Sequence, residues 1–133
     1  MRGQLAVVEA WLAAVDRADA AAATALSAPD LEVVGPRGTV RGREVLGPWM
    51  ARAGFSGTPL RWFCGADGAV VVEQDAVWAD PTTGAQRGRA VVASQFTVAG
   101  GVVTRYQRHD DGLLPALAAA GLGAADEVTA RAG

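Results

Sequence analysis

Apolar side chains recur at helical spacing at the start of the chain, where Leu5, Val8, Leu12 and Val15 form one stripe with Trp11 on its flank. The stripe predicts a helix ending near Asp16–Asp19. Asp19 has the position and chemistry of an N-cap for a second, shorter helix through Leu26. The Ala run 20–23 fits inside that helix because Ala is the best helix former, and Ala28-Pro29-Asp30 ends it. Leu31–Val34 reads as a short strand followed by a Gly35-Pro36-Arg37-Gly38 turn. Arg43–Ala53 returns to helical spacing with Val45, Leu46, Trp49 and Met50. Pro48 inside it predicts a kink or a late start.

From Pro59 the period changes to two. Leu60–Cys64, Ala69–Trp78, Arg87–Val98 and Val102–His109 are rich in Val and aromatics and are separated by turn signals such as Gly65-Ala66-Asp67-Gly68 and Ala99-Gly100-Gly101. Short turns predict antiparallel pairing. A short helix carrying Leu113, Leu114 and Leu117 follows, with Asp111 as its expected cap and Pro115 in its first turn. Helices first and a long meander afterwards make one α+β domain over residues 1–133, a curved antiparallel sheet wrapped around N-terminal helices. Such a cone leaves room for a cavity at its open end.

Alternation assigns Val72, Gln74, Ala76 and Trp78, then Val92, Ser94 and Phe96, then Val103, Gln107 and His109 to the inner face. Glu73, Asp75, Arg89, Gln95, Tyr106 and Arg108 fall on the outer face. A bulge in the last strand would reverse the assignment beyond it and bring Tyr106 inward. The carboxylates of Glu73 and Asp75 are expected to pair across strands with Arg89 and Arg108.

Composition narrows the function classes. The 133 residues carry 12 basic side chains, all Arg, against 14 acidic ones, for a net charge of −2, and Lys, Ile and Asn are absent. No basic tract favours nucleic acid, and no apolar run reaches membrane-spanning length. With no signal-peptide pattern at Met1-Arg2-Gly3-Gln4, a cytoplasmic protein is expected. One Cys and one His cannot supply an internal disulfide or an ordinary transition-metal site. None of the 17 Gly lies in a GxGxxG or GxxxxGK[ST] context, so no metal and no cofactor is expected.

A small-molecule site remains. Trp11, Trp49, Trp62 and Trp78 are natural wall material, together with Met50 and Phe96, while Gln74 and Ser94 supply inward polar groups. Each Trp also reads as plain core. His109 beside Asp110 and Asp111 reads either as an acid/base oriented by a carboxylate or as a satisfied histidine next to a helix cap. In the catalytic reading His109 and Asp110 move the proton and Tyr106 assists. Arg37, Arg41 and Arg43 could hold an anionic ligand or simply be solvated.

The order of elements resembles the nuclear transport factor 2-like superfamily and, within it, the SnoaL-like and ketosteroid-isomerase-like group. The resemblance is carried by Trp11–Asp19, Leu31–Gly38, Gly42-Arg43-Glu44, Phe96–Val103 and Arg105–Asp111. It implies the cone fold, a polyketide-like or other greasy ligand, and a homodimer through the outer sheet face. It also implies an acid/base Asp near the end of the last strand, at Asp110 or Asp111. The same resemblance argues against steroid isomerisation. Gly35 stands where the catalytic Asp of those enzymes would be, Trp11 stands at the position of their oxyanion Tyr, and Val92 or Ala93 at that of their second acid.

Overall fold

The structure is a computed structural model and describes residues 2–35 and 38–129. Helix α1 (Arg2–Asp16) carries the expected stripe, with Leu5, Val8, Leu12 and Val15 all buried. Trp11 is buried with them at 1% exposure. Asp19 caps α2 (Ala20–Ala25) by accepting the Ala22 N–H at 3.0 Å. The chain then forms β1 (Ser27–Gly35) and β2 (Gly38–Arg41), a hairpin, followed by a 3-10 turn (Arg43–Val45) and α3 (Leu46–Ala53). Pro48 occupies the first turn of α3, where a missing N–H costs little, so it marks a late start rather than a kink.

A four-stranded meander follows: β3 (Phe55–Cys64), β4 (Ala69–Ala79), β5 (Gln86–Ala99) and β6 (Val102–His109). The chain then adds α4 (Leu113–Ala120) and a short β7 (Glu127–Val128). Seven strands make one sheet in the order β2-β1-β6-β5-β4-β3-β7, with β1 parallel to β6 and the other pairs antiparallel. Gly54 turns the chain from α3 into β3 at φ +56°, and its amide partner is Ala79, whose N–H donates to Gly54 O at 2.9 Å. A Cβ there would collide with the Ala79 carbonyl, so Gly is needed both for the turn and for the close approach.

Three expectations are corrected. The ladder between β5 and β6 slips between Val98↔Val103 and Thr97↔Arg105, so one extra residue lies in β6. Beyond that bulge the faces reverse: Tyr106 and Arg108 point inward, whereas Gln107 and His109 point outward. Asp111 does not cap α4; Gly112 occupies the N-cap position with no side-chain hydrogen bond. The sheet also does not pack on the N-terminal helices alone. Helix α4 crosses the outer side, where Ala116 and Leu117 bury against Phe63, Val71 and Ala93 in a second, smaller core.

Candidate functional site

The inner face carries an aromatic cluster. Trp11 lies edge-on to Phe96 at 5.3 Å and against Tyr106 at 5.0 Å, and Trp49 stacks on Trp11 at 6.5 Å. Trp49 also reaches Phe55 at 6.3 Å, and Phe55 meets Trp78 at 5.5 Å. Offset and edge-on contacts of this kind hold rings rigidly while contributing more than their buried area alone. The cluster is not uniform in role. Trp11 Nε1 donates to Ser27 Oγ at 3.0 Å, and Ser27 in turn donates to Ala23 O at 2.8 Å, so the indole N–H is already used. Trp11 and Phe96 are structural, fully covered by their neighbours.

Trp49 is different. It is half-buried and lines a cleft of about 500 Å³ between α3 and the β1–β2 hairpin, together with Val33, Val40, Arg52, Tyr106 and Arg108. An adjoining lobe of about 420 Å³ shares Val33, Val40, Trp49 and Arg52 and adds Glu44 and Pro48. On the far side of Trp49 a smaller cavity of about 240 Å³ is walled by Met50, Phe55 and Asp16. Trp49 thus forms a common wall to all three spaces.

The inner face of the sheet also buries polar groups. Gln74 and Ser94 are fully buried, and Ser94 Oγ donates to Gln74 Oε1 at 2.5 Å. Burial pushes the Tyr106 phenol above its ordinary range, against smaller opposing effects of Arg108 and Ser94. The phenol is therefore neutral and a hydrogen-bond donor at neutral pH, not a base. Gln74 Nε2 has no partner among the described residues. It lies over Gly57, where an added Cβ would sit 2.5 Å from it.

Charge enters at the rim. Arg108 lies over the Trp78 ring at 5.2 Å and the Phe55 ring at 5.5 Å, and its Nε donates to Asp110 Oδ1 at 2.7 Å. Asp16, at the end of α1, accepts the Gly57 N–H at 3.0 Å, and partial burial raises its carboxyl above the usual range despite that bond.

The sequence-predicted residues therefore separate. Trp49 and Tyr106 line the cleft and Met50 the smaller cavity, whereas Trp78 packs on Phe55 and under Arg108, and Gln74 and Ser94 are buried in the interior outside the lining of any of the three spaces. Trp62 is core beside Val128 at the opposite end of the inner face. His109, expected on the inner face, lies on the outer one, where its Nε2 and Gln95 Oε1 share a hydrogen bond at 2.8 Å. Burial, followed by the Arg105 guanidinium, lowers its pKa. Of the expected outer ion pairs, Arg89 makes a bidentate contact with Asp75 at 2.9 and 2.6 Å, but Arg108 has turned inward to Asp110. Arg41 pairs with Glu32 at 3.2 Å and Arg43 donates to Ser27 O at 3.3 Å, and Arg37 lies outside the described residues. Sequence reasoning missed Asp16 and Arg52. Asp16 closes α1 directly after core Val15 and is largely exposed, so the apolar spacing of the helix gave no signal for it.

Comparisons with known proteins agree with this architecture. The family model of the SnoaL-like domain matches residues 8–106. Among solved structures, an LEH-like epoxide hydrolase from M. tuberculosis is similar at 26% identity and a TM-score of 0.68, over 88% of this chain and 93% of that one. A hypothetical protein with a ketosteroid isomerase-like fold from Catenulispora acidiphila, solved with trimethylamine, is similar at 25% identity and a TM-score of 0.66, over 90% and 95% of the two chains. TerC, co-crystallized with polyporic acid, shares the fold at 20% identity and a TM-score of 0.70, over 82% of this chain and 92% of that one. No curated protein matches the chain. No helix among the described residues is long and apolar enough to cross a membrane.

Proposed function

The chain belongs to the SnoaL-like domain family, and from that premise we propose that the cleft between α3 and the β1–β2 hairpin binds a small, flat, largely apolar molecule of polyketide-like size. The observation that carries this reading is Trp49, a half-buried indole that walls a cleft of about 500 Å³ whose other sides are Val33, Val40 and the buried Tyr106. A volume in that range, apolar walls and a few fixed polar groups are what small-molecule sites have in common. Tyr106 supplies a neutral hydroxyl to a carbonyl or hydroxyl of the ligand. The likeness to an epoxide hydrolase supports a small organic ligand. His109 takes no part in this reading because its ring lies on the other face of the sheet.

Titration with naphthamide and a set of flat aromatic ketones and quinones, followed by tryptophan fluorescence, tests the reading. A saturable change in the wild type that is largely lost in Trp49→Phe is expected. Silence across the set, and with the corresponding aromatic acids, overturns it.

Self-association through the strip of outer sheet beyond α4 completes the proposal. Val91 is 52% exposed there, beside the Arg89–Asp75 pair. Sedimentation equilibrium should find a dimer that Val91→Glu weakens; a monomeric wild type contradicts it.

A further inference from the structure

We infer that the ligand of the cleft is an anion, a flat aromatic acid or phenolate whose charged oxygens are received by Arg108 and Arg52. The inference rests on the binding reading above and adds the chemical class. Two guanidinium groups line the main cleft, Arg52 from α3 and Arg108 from β6, and among the described residues its lining contains no carboxylate. The nearest acid in the lining of the combined space is Glu44, in the adjoining lobe. This concentration of positive charge belongs to a chain whose net charge is −2, so it is a local feature and not a consequence of a basic surface.

The two cations are held differently. Arg52 is exposed and forms no salt bridge among the described residues. Arg108 has a side chain only 22% exposed, lying over Phe55 and Trp78 with one nitrogen committed to Asp110, whose own side chain is 56% exposed. A guanidinium has five N–H donors, and the Asp110 bond uses one of them. The remaining N–H groups can donate to a carboxylate or phenolate, while the apolar body of the ligand lies on Trp49 and Val33. A neutral Tyr106 hydroxyl in the same lining adds a donor that does not repel the anion. Asp110 competes with the ligand for Arg108. It restrains the guanidinium in the free protein and is exposed enough to give way.

Calorimetric titration of the full chain with naphthoate and with its neutral isostere naphthamide tests this. Naphthoate should bind about tenfold more tightly, the scale expected of a charge-assisted hydrogen bond at a partly exposed site. Its affinity should fall with added salt while that of naphthamide does not. Arg108→Gln should remove most of the preference, Arg52→Gln part of it, and Asp110→Asn should strengthen naphthoate binding severalfold by releasing Arg108. Arg52 is solvent-exposed, so its variant keeps the test open if Arg108→Gln fails to fold. Equal binding of acid and amide overturns the anion assignment and leaves the cleft reading in place. Failure of both probes, with every member of the neutral set also silent, overturns both.

Discussion

Tyr106 stands opposite Phe96 across the β5–β6 ladder, and the two rings meet at 5.1 Å on the inner face. That pairing exists only because one extra residue before Arg105 reverses the strand's faces. It brings in a phenol and a guanidinium and sends the imidazole out. Tyr106→Phe should keep the ring contacts and lose only the hydroxyl, at about 1 kcal/mol. Tyr106→Ala should cost about 3–5 kcal/mol by opening a cavity in the aromatic cluster. Urea unfolding of both variants checks this, and equal losses would show that the ring is not packed as described.

Gly57 lies against the buried Gln74 side chain. An added Cβ would lie 2.5 Å from Gln74 Nε2, in an interior with little slack. Gly57→Ala should therefore cost about 1–3 kcal/mol, and the cost should shrink in a Gln74→Ala background, where the amide is gone. A double-mutant cycle measured by urea unfolding reads the coupling directly. Additive losses would mean that the two groups do not touch.

The chain of hydrogen bonds from Trp11 through Ser27 to Ala23 is wholly buried. Ser27→Ala leaves the indole N–H without its acceptor, and a buried orphan costs about 1–3 kcal/mol. Trp11→Phe with Ser27→Ala should lose less than the two single changes summed, because the orphaned donor is removed together with its acceptor. Thermal or urea unfolding of the three variants tests this.

Protonation of His109 should weaken the fold. Burial and Arg105 depress its folded pKa, partly offset by Asp111 and Asp110. The unfolded chain therefore takes up the proton first as the pH falls. The stability due to the neutral ring is complete above the unfolded value of about 6.5, and it is lost as the pH drops through the lower folded value. Urea midpoints measured across that window should decline in the wild type and decline less in His109→Gln. Parallel curves would contradict the assigned environment. Binding to the cleft should be unchanged in this variant, since His109 lies on the far side of the sheet.

The sequence shows clearly those elements whose pattern has one solution. The α1 stripe, the Asp19 cap and the strands β4, β5 and β6 each follow from spacing and turn chemistry. The β2 strand and the first half of β3 were not legible. Gly38–Arg41 is exposed throughout, and Phe55–Pro59 carries Gly and Pro, so neither has a two-residue apolar period. The site was legible in its materials but not in its arrangement. Trp49 and Tyr106 could be named, yet whether Tyr106 or His109 points inward depends on a single bulge. Thr104 and its neighbours give no sign of the bulge, because the flanking Val102, Val103, Arg105 and Tyr106 suit either register. Arg52 could not be distinguished from other Arg residues in a chain that uses Arg for every basic position.

The occupancy of the cleft is tested most directly by mapping backbone amide shifts during titration of isotope-labelled protein with naphthoate. Saturable shifts clustered on Val33, Val40, Trp49, Arg52 and Tyr106, with α4 and His109 unmoved, are the predicted result. Shifts confined to the outer face around α4, or none at concentrations that saturate ordinary apolar sites, would contradict the account.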